Sequence, residues 1–444
     1  GRYDGTSRFM KDQRWNFFPS FSLGWNVARE NFWKPLESVV NQFKLRGSWG
    51  ELGNQNTSNL YPFYEILPVK SNSGNWLVNG GKTNTADIPS LVSTLLTWER
   101  VRSFNVGFDF GAFSNRLTGS FDYFVRKTVD MVGPAPQLPL VLGIAPAIVN
   151  NADMKSYGFE IELSWRDRIG EVDYGVKFNL ADAQQKVVKY PNTTNAFSDW
   201  YAGKMSGEIW GYTSLGIAKT DEEMKEHLAS LPNGGQNQLG NKWGAGDIMY
   251  ADINGDGKVD GGKGTLADPG DQRIIGNSTP RYNFGLVLDA SYKGFDVSIF
   301  FQGVGKRDYA PIVGTNGAVF WGAVNNIWQS MAMEEHFDYF RPEGHPMGAN
   351  LNGYYPRPDF TSNKNHQVQT RYLQDASYIR LKNLQIGYTL PKQWINKLHI
   401  NRCRVYVSGD NLWTGTSLAS MFDPETLAAG DWGSGKTYPL SKVI

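Results

Sequence analysis

Hydrophobic and polar residues alternate with a period of two along most of the chain. In the segment YGFEIELSWR, beginning at Tyr157, the large apolar side chains occupy every second position. Because successive side chains of a β-strand point to opposite faces, this alternation predicts strands. Ten such runs occur, near residues 15–27, 43–51, 104–111, 116–127, 157–166, 173–187, 281–292, 295–303, 377–390 and 403–413.

One run changes phase. Ile379 and Leu381 lie on one face of the run from 377, but Leu384 and Ile386 then continue that face after a shift at Asn383. A single extra residue in one strand of an antiparallel pair produces such a shift. The sequence therefore predicts a β-bulge near Asn383.

The connections between the runs differ in length in a regular order. Short or moderate connections occupy 112–115, 167–172, 293–294, 28–42 and 391–402, and long ones occupy 52–103, 128–156, 188–280 and 305–376. This order is typical of an all-β antiparallel transmembrane barrel, which has short periplasmic turns and long extracellular loops. A soluble β-sandwich shares the alternation but not the sorting of its loops into two lengths.

The polar faces of the runs agree with a barrel. Glu160 and Glu162 lie opposite the apolar face of their strand. Carboxylates are costly on a lipid-facing surface, so we expect them to face a polar lumen, with the aromatic face toward lipid.

Composition narrows the class of protein. The chain has 444 residues, 44 Lys and Arg against 43 Asp and Glu, and an aromatic content of 14%. This charge balance does not favour a nucleic-acid partner. The single cysteine, Cys403, excludes an intrachain disulfide. The most apolar stretch, 132–149, contains four prolines and is too short for a membrane helix, so a membrane would have to be crossed by strands.

A membrane barrel has to close, because open edges leave unpaired backbone groups in hydrocarbon. Ten strands are few for a large lumen. We therefore expect an open sheet whose edges are the strands at 15–27 and 403–413, each lacking a lateral partner, and a chain that is part of a larger barrel.

Several motifs carry a family resemblance. SYIRLKNLQIGYTLP at 377–391, VYVSGDNLW at 405–413, DPE at 423–425, FKLRGSWGELGNQ at 43–55 and YPRPDF at 355–360 resemble the barrel of SusC/RagA-like TonB-dependent transporters. YGFEIELSW at 157–165 and the segment from DINGDGKVDG to RYNFGL, 252–286, are also similar to that family. The matches follow the family's order along nearly the whole chain.

The resemblance implies a 22-stranded outer-membrane barrel with a plug, typical of Bacteroidetes. It also implies a SusD-like surface lipoprotein that closes over the barrel as a lid, and uptake of glycan oligosaccharides or peptides energised by TonB. On this basis residues 1–444 are expected to be the C-terminal part of the barrel, without the plug, the TonB-contacting N-terminal part or the closing strand. The resemblance implies a transporter surrounded by outer-membrane lipid, and not an enzyme.

The segment YADINGDGKVDGGKG, beginning at Tyr250, resembles a calcium loop. Oxygen ligands are expected at alternate positions of such a loop, with a glycine at the sixth. The candidate ligands are the side chains of Asp252, Asn254, Asp256 and Asp260 and the carbonyl of Lys258, with Gly257 at the turn. Position 12 is Lys263, which cannot bind a cation; by the family pattern Asp271, or less favourably Asp268, completes the shell. The alternative is an ion-free Asx turn. The ion would stiffen an extracellular loop.

Two other functions remain open at this stage. One is a secreted or surface β-rich glycan-binding protein with a structural calcium, and the other is an iron-chelate receptor with the same barrel. No catalytic motif supports an enzyme, because the chain has no G-x-S-x-G, H-E-x-x-H or P-loop segment. The substrate-binding residues are not assigned by the sequence.

Overall fold

The computed structural model describes residues 1–55, 57, 60–89, 91–133, 141, 143–144, 146–311, 318–325, 333–360, 362–396, 399–427 and 439–444. Its main element is a ten-stranded sheet with the order β22-β21-β18-β17-β12-β11-β10-β9-β4-β3. These strands are β3 (Ser20–Asn26), β4 (Val40–Asn54), β9 (Glu99–Ala112), β10 (Leu117–Gly133), β11 (Val149–Ile169), β12 (Val172–Lys189), β17 (Arg281–Tyr292), β18 (Phe295–Lys306), β21 (Tyr378–Thr389) and β22 (Arg404–Thr416). All ten predicted strands are present, and the all-β class is confirmed.

Shorter strands lie in the connections. They form two-stranded pairs β1-β2, β5-β8, β6-β7, β13-β16, β14-β15 and β19-β20. Their bounds are β1 (Arg2–Gly5), β2 (Trp15–Phe18), β5 (Val69–Lys70), β6 (Leu77–Val78), β7 (Gly81–Lys82), β8 (Thr85–Ala86), β13 (Glu208–Gly211), β14 (Ser214–Ile217), β15 (Ile248–Tyr250), β16 (Arg273–Asn277), β19 (Asp308–Tyr309) and β20 (Gln374–Asp375). The long connections are therefore themselves folded.

Helices are few and short. The described residues include α1 (Asp221–Ala229), α2 (Ala318–Asn325), α3 (Lys392–Ile395) and 3-10 turns at Lys11–Gln13, Val27–Arg29, Asn31–Leu36 and Glu334–Phe337. Within the described part of the chain, no helix has the length and apolar character needed to cross a bilayer. Much of the proline-containing stretch at 132–149 lies outside the described residues.

The chain divides into two compact units. The first comprises Gly1–Gly111, Ser120–Phe159 and Ala183–Met205, and the second comprises Ala112–Gly119, Glu160–Asp182 and Ser206–Ile444.

In the second unit, the antiparallel registers of β12, β17, β18, β21 and β22 build two faces. Because opposite residues in a pair point the same way, each row of register partners shares a face. One row is polar and consists of Asp289, Ser298, Gln385 and Ser408; the adjacent row is apolar and consists of Ala290, Val297, Ile386 and Val407. The predicted separation of a polar and an apolar face is present in these strands.

The phase change in β21 is a bulge, as predicted. The partner of Phe300 on β18 is Asn383, whereas the partner of Phe301 is Leu381, so Lys382 is the extra residue. The pairing of β21 with β22 also shifts between Leu381 and Asn383.

In the first unit, β3 pairs with β4 in antiparallel register from Ser20 opposite Gly50 to Asn26 opposite Lys44. Phe21 stacks on Trp49 on one face, with ring centroids 6.2 Å apart. On the other face the Arg46 guanidinium lies 2.8 Å from the carboxylates of both Asp109 and Asp122.

The sheet edges differ in two details from the prediction. The run at 15–27 is two strands, β2 and β3, separated by Pro19, since a proline has no N–H to donate to the ladder. β3 and β22 are the ends of the sheet order, but β22 does not lack a partner, because Asp410 and Val443 exchange backbone hydrogen bonds of 2.8 and 3.1 Å. The residues that follow β22 thus contribute a single antiparallel bridge.

Candidate lumenal wall and calcium loop

The polar face of β12, β17, β18, β21 and β22 is the first candidate site, and we call it the polar wall. Near the short turns, Arg404 Nε donates to Asp296 Oδ1 at 3.0 Å, and its Nη2 donates to Gln385 Oε1 at 2.8 Å. These side chains are partly exposed, so their charges remain solvated. The arrangement offers closely spaced donors and acceptors rather than a catalytic group.

A cavity of about 650 Å³ lies at the short-turn end of this unit. Its lining is strongly charged and includes Arg116, Arg166, Asp167, Asp173, Asp289 and Asp296. Arg116 Nη1 donates to Asp167 at 3.2 Å. The mixture of both signs favours polar contacts without strong selection for cations or anions.

At the long-connection end, the segment after β22 folds onto the polar wall. Arg380 is 3% exposed and donates to Thr414, Asp423 and Glu425 at 2.7–2.8 Å. Lys382, the bulged residue, donates to Glu425 at 2.9 Å. The DPE motif is therefore held by two cations of β21.

The long connections of the second unit pack around one hydrophobic cluster, which we call the loop body (206–280, 307–311, 318–325, 333–377 and 417–427, as far as described). Its buried aromatic members are Tyr212, Tyr250, Phe320, Trp321, Tyr355, Tyr372 and Phe422. Trp321 and Tyr372 meet edge-to-face with centroids 4.8 Å apart. These rings are interior packing residues and are not available to a substrate.

A buried ionic network crosses the loop body. Asp247 is fully buried, and its carboxylate accepts hydrogen bonds from Arg357, Lys364, Asn365 and the backbone N–H of Gly244. The Lys364 ammonium lies 2.9 Å from Asp247 and 5.0 Å from the Trp243 ring centroid. These four donors satisfy the Asp247 carboxylate, whose negative charge would otherwise be too costly to bury.

His366 adjoins this network and is 1% exposed. Its ring meets Trp321 edge-on, with centroids 4.5 Å apart. Burial lowers the pKa of His366 to about 4, because the apolar surroundings disfavour the charged imidazolium. The residue is therefore neutral at physiological pH.

The predicted calcium loop forms a closed set of turns. Asp252 accepts from the backbone N–H of Gly255 at 2.6 Å and of Gly257 at 2.8 Å. Gly257 has φ +80°, a conformation that favours glycine, as predicted for this turn. The Asn254 side-chain amide donates to the Asp256 carboxylate at 3.2 Å, and its Oδ1 accepts from the Asp256 backbone N–H at 3.0 Å.

Asp271 returns to the start of the loop. Its carboxylate accepts from the backbone N–H of Ile253 at 2.7 Å and of Asp260 at 2.8 Å. Asp271 and Asp260 are both buried. Asp268 instead belongs to a local turn, in which its backbone N–H bonds Thr265.

Lys258 was predicted to supply a carbonyl, and its side chain adds a second feature. The ammonium lies 2.5 Å from Asp260 Oδ2 and 3.8 Å from Asp256 Oδ2. The hydrogen bond to Lys258 lowers the pKa of Asp260, and the same bond raises the pKa of Lys258. A cationic group thus lies between two of the predicted ligands, although in the described residues no three His, Cys, Asp or Glu side chains converge as a metal cluster.

The β-barrel model of the TonB-dependent receptor-like family matches residues 1–412. The chain belongs to the TonB-dependent receptor family. The resemblance stated from the motifs is thereby confirmed, as are the outer-membrane location and the barrel class of the strands.

Two curated relatives place this TonB-dependent receptor near the SusC type. TonB-dependent receptor P3 of Formosa agariphila is 30% identical over 96% of this chain and 40% of the relative. TonB-dependent receptor SusC of Bacteroides thetaiotaomicron is 24% identical over 88% of this chain and 36% of the relative. The chain therefore spans about two fifths of the length of the curated relatives it matches.

A solved structure shows the same fold. The RagAB peptide transporter aligns with a TM-score of 0.71 at 22% identity, covering 98% of this chain and 43% of that one. At this identity the likeness supports the fold alone. The polar wall of this receptor is accordingly interpreted as lining a barrel lumen.

Proposed function

We propose that the receptor containing this chain imports oligosaccharides across the outer membrane, energised through TonB, with a SusD-like surface lipoprotein as its lid. The observation that carries the proposal is the polar wall of a SusC/RagA-like barrel. Its row of Asp289, Ser298, Gln385 and Ser408 presents hydroxyl, amide and carboxylate groups side by side. Such groups match the alternating donors and acceptors of sugar hydroxyls.

A peptide is the alternative substrate. RagAB, whose fold this chain shares, is a peptide transporter, and peptide groups also pair with amides and carboxylates. The loop aromatics do not decide between the two, because Trp321, Tyr355 and Tyr372 are buried and cannot stack on sugar rings.

The test is uptake by cells that lack the gene. Fluorescent oligosaccharide and peptide pools are supplied separately to the deletion strain and to strains complemented with the wild-type gene. We expect oligosaccharide uptake to depend on the gene and to stop when TonB is deleted. If only peptide uptake depends on the gene, the substrate class is peptides. If the uptake of neither pool depends on the gene, import is contradicted.

The partner is tested separately. An affinity-tagged receptor is purified from solubilised outer membranes, and we expect a surface lipoprotein to be retained in a stoichiometric amount. A receptor recovered without any such lipoprotein would contradict the lid partner.

We also propose that the 252–271 loop binds a calcium ion through Asp252, Asn254, Asp256, Asp260 and the Lys258 carbonyl, with Asp271 completing the loop. The carboxylates of Asp256 and Asp260 on either side of the Lys258 ammonium support a site for positive charge. When bound, calcium would crosslink the turns of an extracellular loop and would take no part in chemistry. This ion would displace the Lys258 ammonium toward solvent.

A further inference from the structure

The apolar face of the first unit ends in a group of cations. On β9, Phe104, Val106, Phe108 and Phe110 alternate along one face, and Arg102 and Arg100 continue the same alternation toward the long-connection end. Phe104 and Val106 are 47% and 44% exposed, as expected for side chains that contact lipid. Arg102 is therefore the first charged side chain beyond this apolar band.

A cation occupies the same level on the neighbouring strand. The Phe108 and Phe121 rings stack with centroids 5.6 Å apart, which aligns β9 with β10. Arg102 lies six residues before Phe108, and Lys127 lies six residues after Phe121. Because the two strands are antiparallel, Arg102 and Lys127 lie at one level on the same face.

The third strand, β11, repeats the arrangement. The backbone N–H of Arg166 on β11 donates to the carbonyl of Arg116, next to the start of β10, at 2.8 Å. Counting eleven residues from each of these brings Lys127 opposite Lys155, so the two lysines share a face. The Lys155 ammonium lies 5.1 Å from the Tyr157 ring centroid, on the face that continues to Phe159.

The cations are only partly neutralised. Arg102 Nε donates to Glu51 Oε1 at 2.8 Å, and Arg100 lies 3.7 Å from the same carboxylate and donates to Asn16 at 3.0 Å. The Lys127 side chain is exposed, and no side-chain hydrogen bond or ion pair joins it to the described residues. Arg100 and Arg102 thus share one buried carboxylate, and we call the set Arg100, Arg102, Lys127 and Lys155 the basic row.

We propose that the basic row binds the phosphate groups of lipid headgroups in the outer leaflet. The row directly continues a lipid-exposed apolar surface, so the groups that reach it are the headgroups of the lipids whose chains cover that surface. Guanidinium and ammonium groups complement phosphate in charge and hydrogen bonding. The inference needs only the barrel family and the outward face, and does not depend on the transported substrate.

The experiment measures lipid retention by the intact receptor. The receptor is reconstituted in phosphatidylcholine nanodiscs with a minor fraction of lipid A as the phosphate-bearing probe, and bound lipid is counted by native mass spectrometry. We expect Lys127→Ser to weaken lipid A binding about fivefold, and Arg102→Ser with Lys127→Ser about 25-fold, from the usual contribution of a cation near an anionic surface. Lys127→Arg keeps the positive charge and should bind lipid A as the wild-type receptor does.

Arg126→Ser is the matched control. Arg126 is also exposed but alternates onto the opposite face of β10. Equal lipid A binding by the Lys127→Ser and Arg126→Ser variants would overturn the proposal, and Lys127→Ser removes no contact that the fold needs.

Two further arms identify the source of the phosphate. Inorganic phosphate added in excess should leave lipid A bound, and complete displacement would mean a site for a free anion instead. Loss of a co-purifying protein from Lys127→Ser, with lipid A binding unchanged, would overturn the lipid proposal and assign the row to a protein interface.

Discussion

The polar wall and the loop body of the second unit use similar residues in opposite ways. In the polar wall, Arg404 on β22 and Asp296 on β18 pair across the intervening strand β21 and stay partly exposed. In the loop body, Asp247 and Lys364 pair over 117 positions of sequence and are almost completely buried. The wall takes its order from the strand ladder, whereas the loop body depends on a few buried contacts between distant segments. Removing such a contact should therefore destabilise the loop body far more than the wall.

The largest effect is expected for Asp247→Ala. It leaves Arg357 and Lys364 without their buried carboxylate, which should destabilise the loop body by about 3–5 kcal/mol. Hydrogen exchange should show lost protection in 206–280 and 333–377, with β17 and β18 unchanged. Asp173→Ala, at a side chain that is 62% exposed, is the control and should leave exchange unaltered. Equal losses at both positions would remove the distinction between the two regions.

A pH effect sharpens the same contrast. The lowered pKa of His366, about 4, means that the unfolded loop binds a proton below about pH 6.5 while the folded loop does not. Stability should therefore be complete above that pH and fall by about 3 kcal/mol as the pH drops to 4. Proteolysis of the loop body across this range should follow the fall, and His366→Phe should flatten it. A pH dependence that His366→Phe leaves unchanged would assign it to other groups.

A smaller effect concerns the calcium loop. Millimolar calcium should stabilise the wild-type loop by about 1 kcal/mol if the site has the affinity of extracellular calcium modules. Asp256→Ala should abolish this gain, measured as calcium-dependent protection of 250–271 from exchange. Asp268→Asn should keep it, because Asp271 returns to the loop whereas Asp268 belongs to a separate local turn. The absence of any calcium response in the wild-type protein would contradict the site.

The smallest effect is expected in the wall itself. Asp296→Asn removes the partner of Arg404, but the pair is partly solvated, so we expect a loss of about 0.5 kcal/mol. Thermal unfolding of the reconstituted receptor measures this change, with Asp289→Asn as the control in the next polar row. A loss comparable to that of Asp247→Ala would show that wall and loop body are equally dependent on single ion pairs.

The strands were predictable because a single local rule defines them. The alternation around Phe159 and the phase change at Asn383 can each be recognised within about ten residues of sequence. Both predictions, a strand and a bulge, were confirmed. The run at 15–27 was wrongly predicted as one strand, because Pro19 interrupts it without changing the alternation of apolar and polar residues.

The loop body was not predictable in the same way. Nothing near Asp247 indicates that its partners are Arg357 and Lys364, since burial follows from contacts more than 100 positions apart. The calcium loop is intermediate: its turns follow from local Asp, Asn and Gly spacing, and the return of Asp271 was expected from the family pattern. The side chain of Lys258 was missed, because the motif assigns that position only a carbonyl.

The bulge at Lys382 has a mechanical consequence for the sheet. Lys382 is an extra polar residue between Arg380 and Asn383. The apolar side chains therefore alternate in a different phase before and after it. Sliding β21 along β18 by one residue would turn the apolar side chains of both halves toward the lumen. The register of β21 with β22 also shifts at this point, so the same slide would disrupt the pairing with β22 as well. The two irregularities therefore resist sliding of β21 past both of its neighbouring strands.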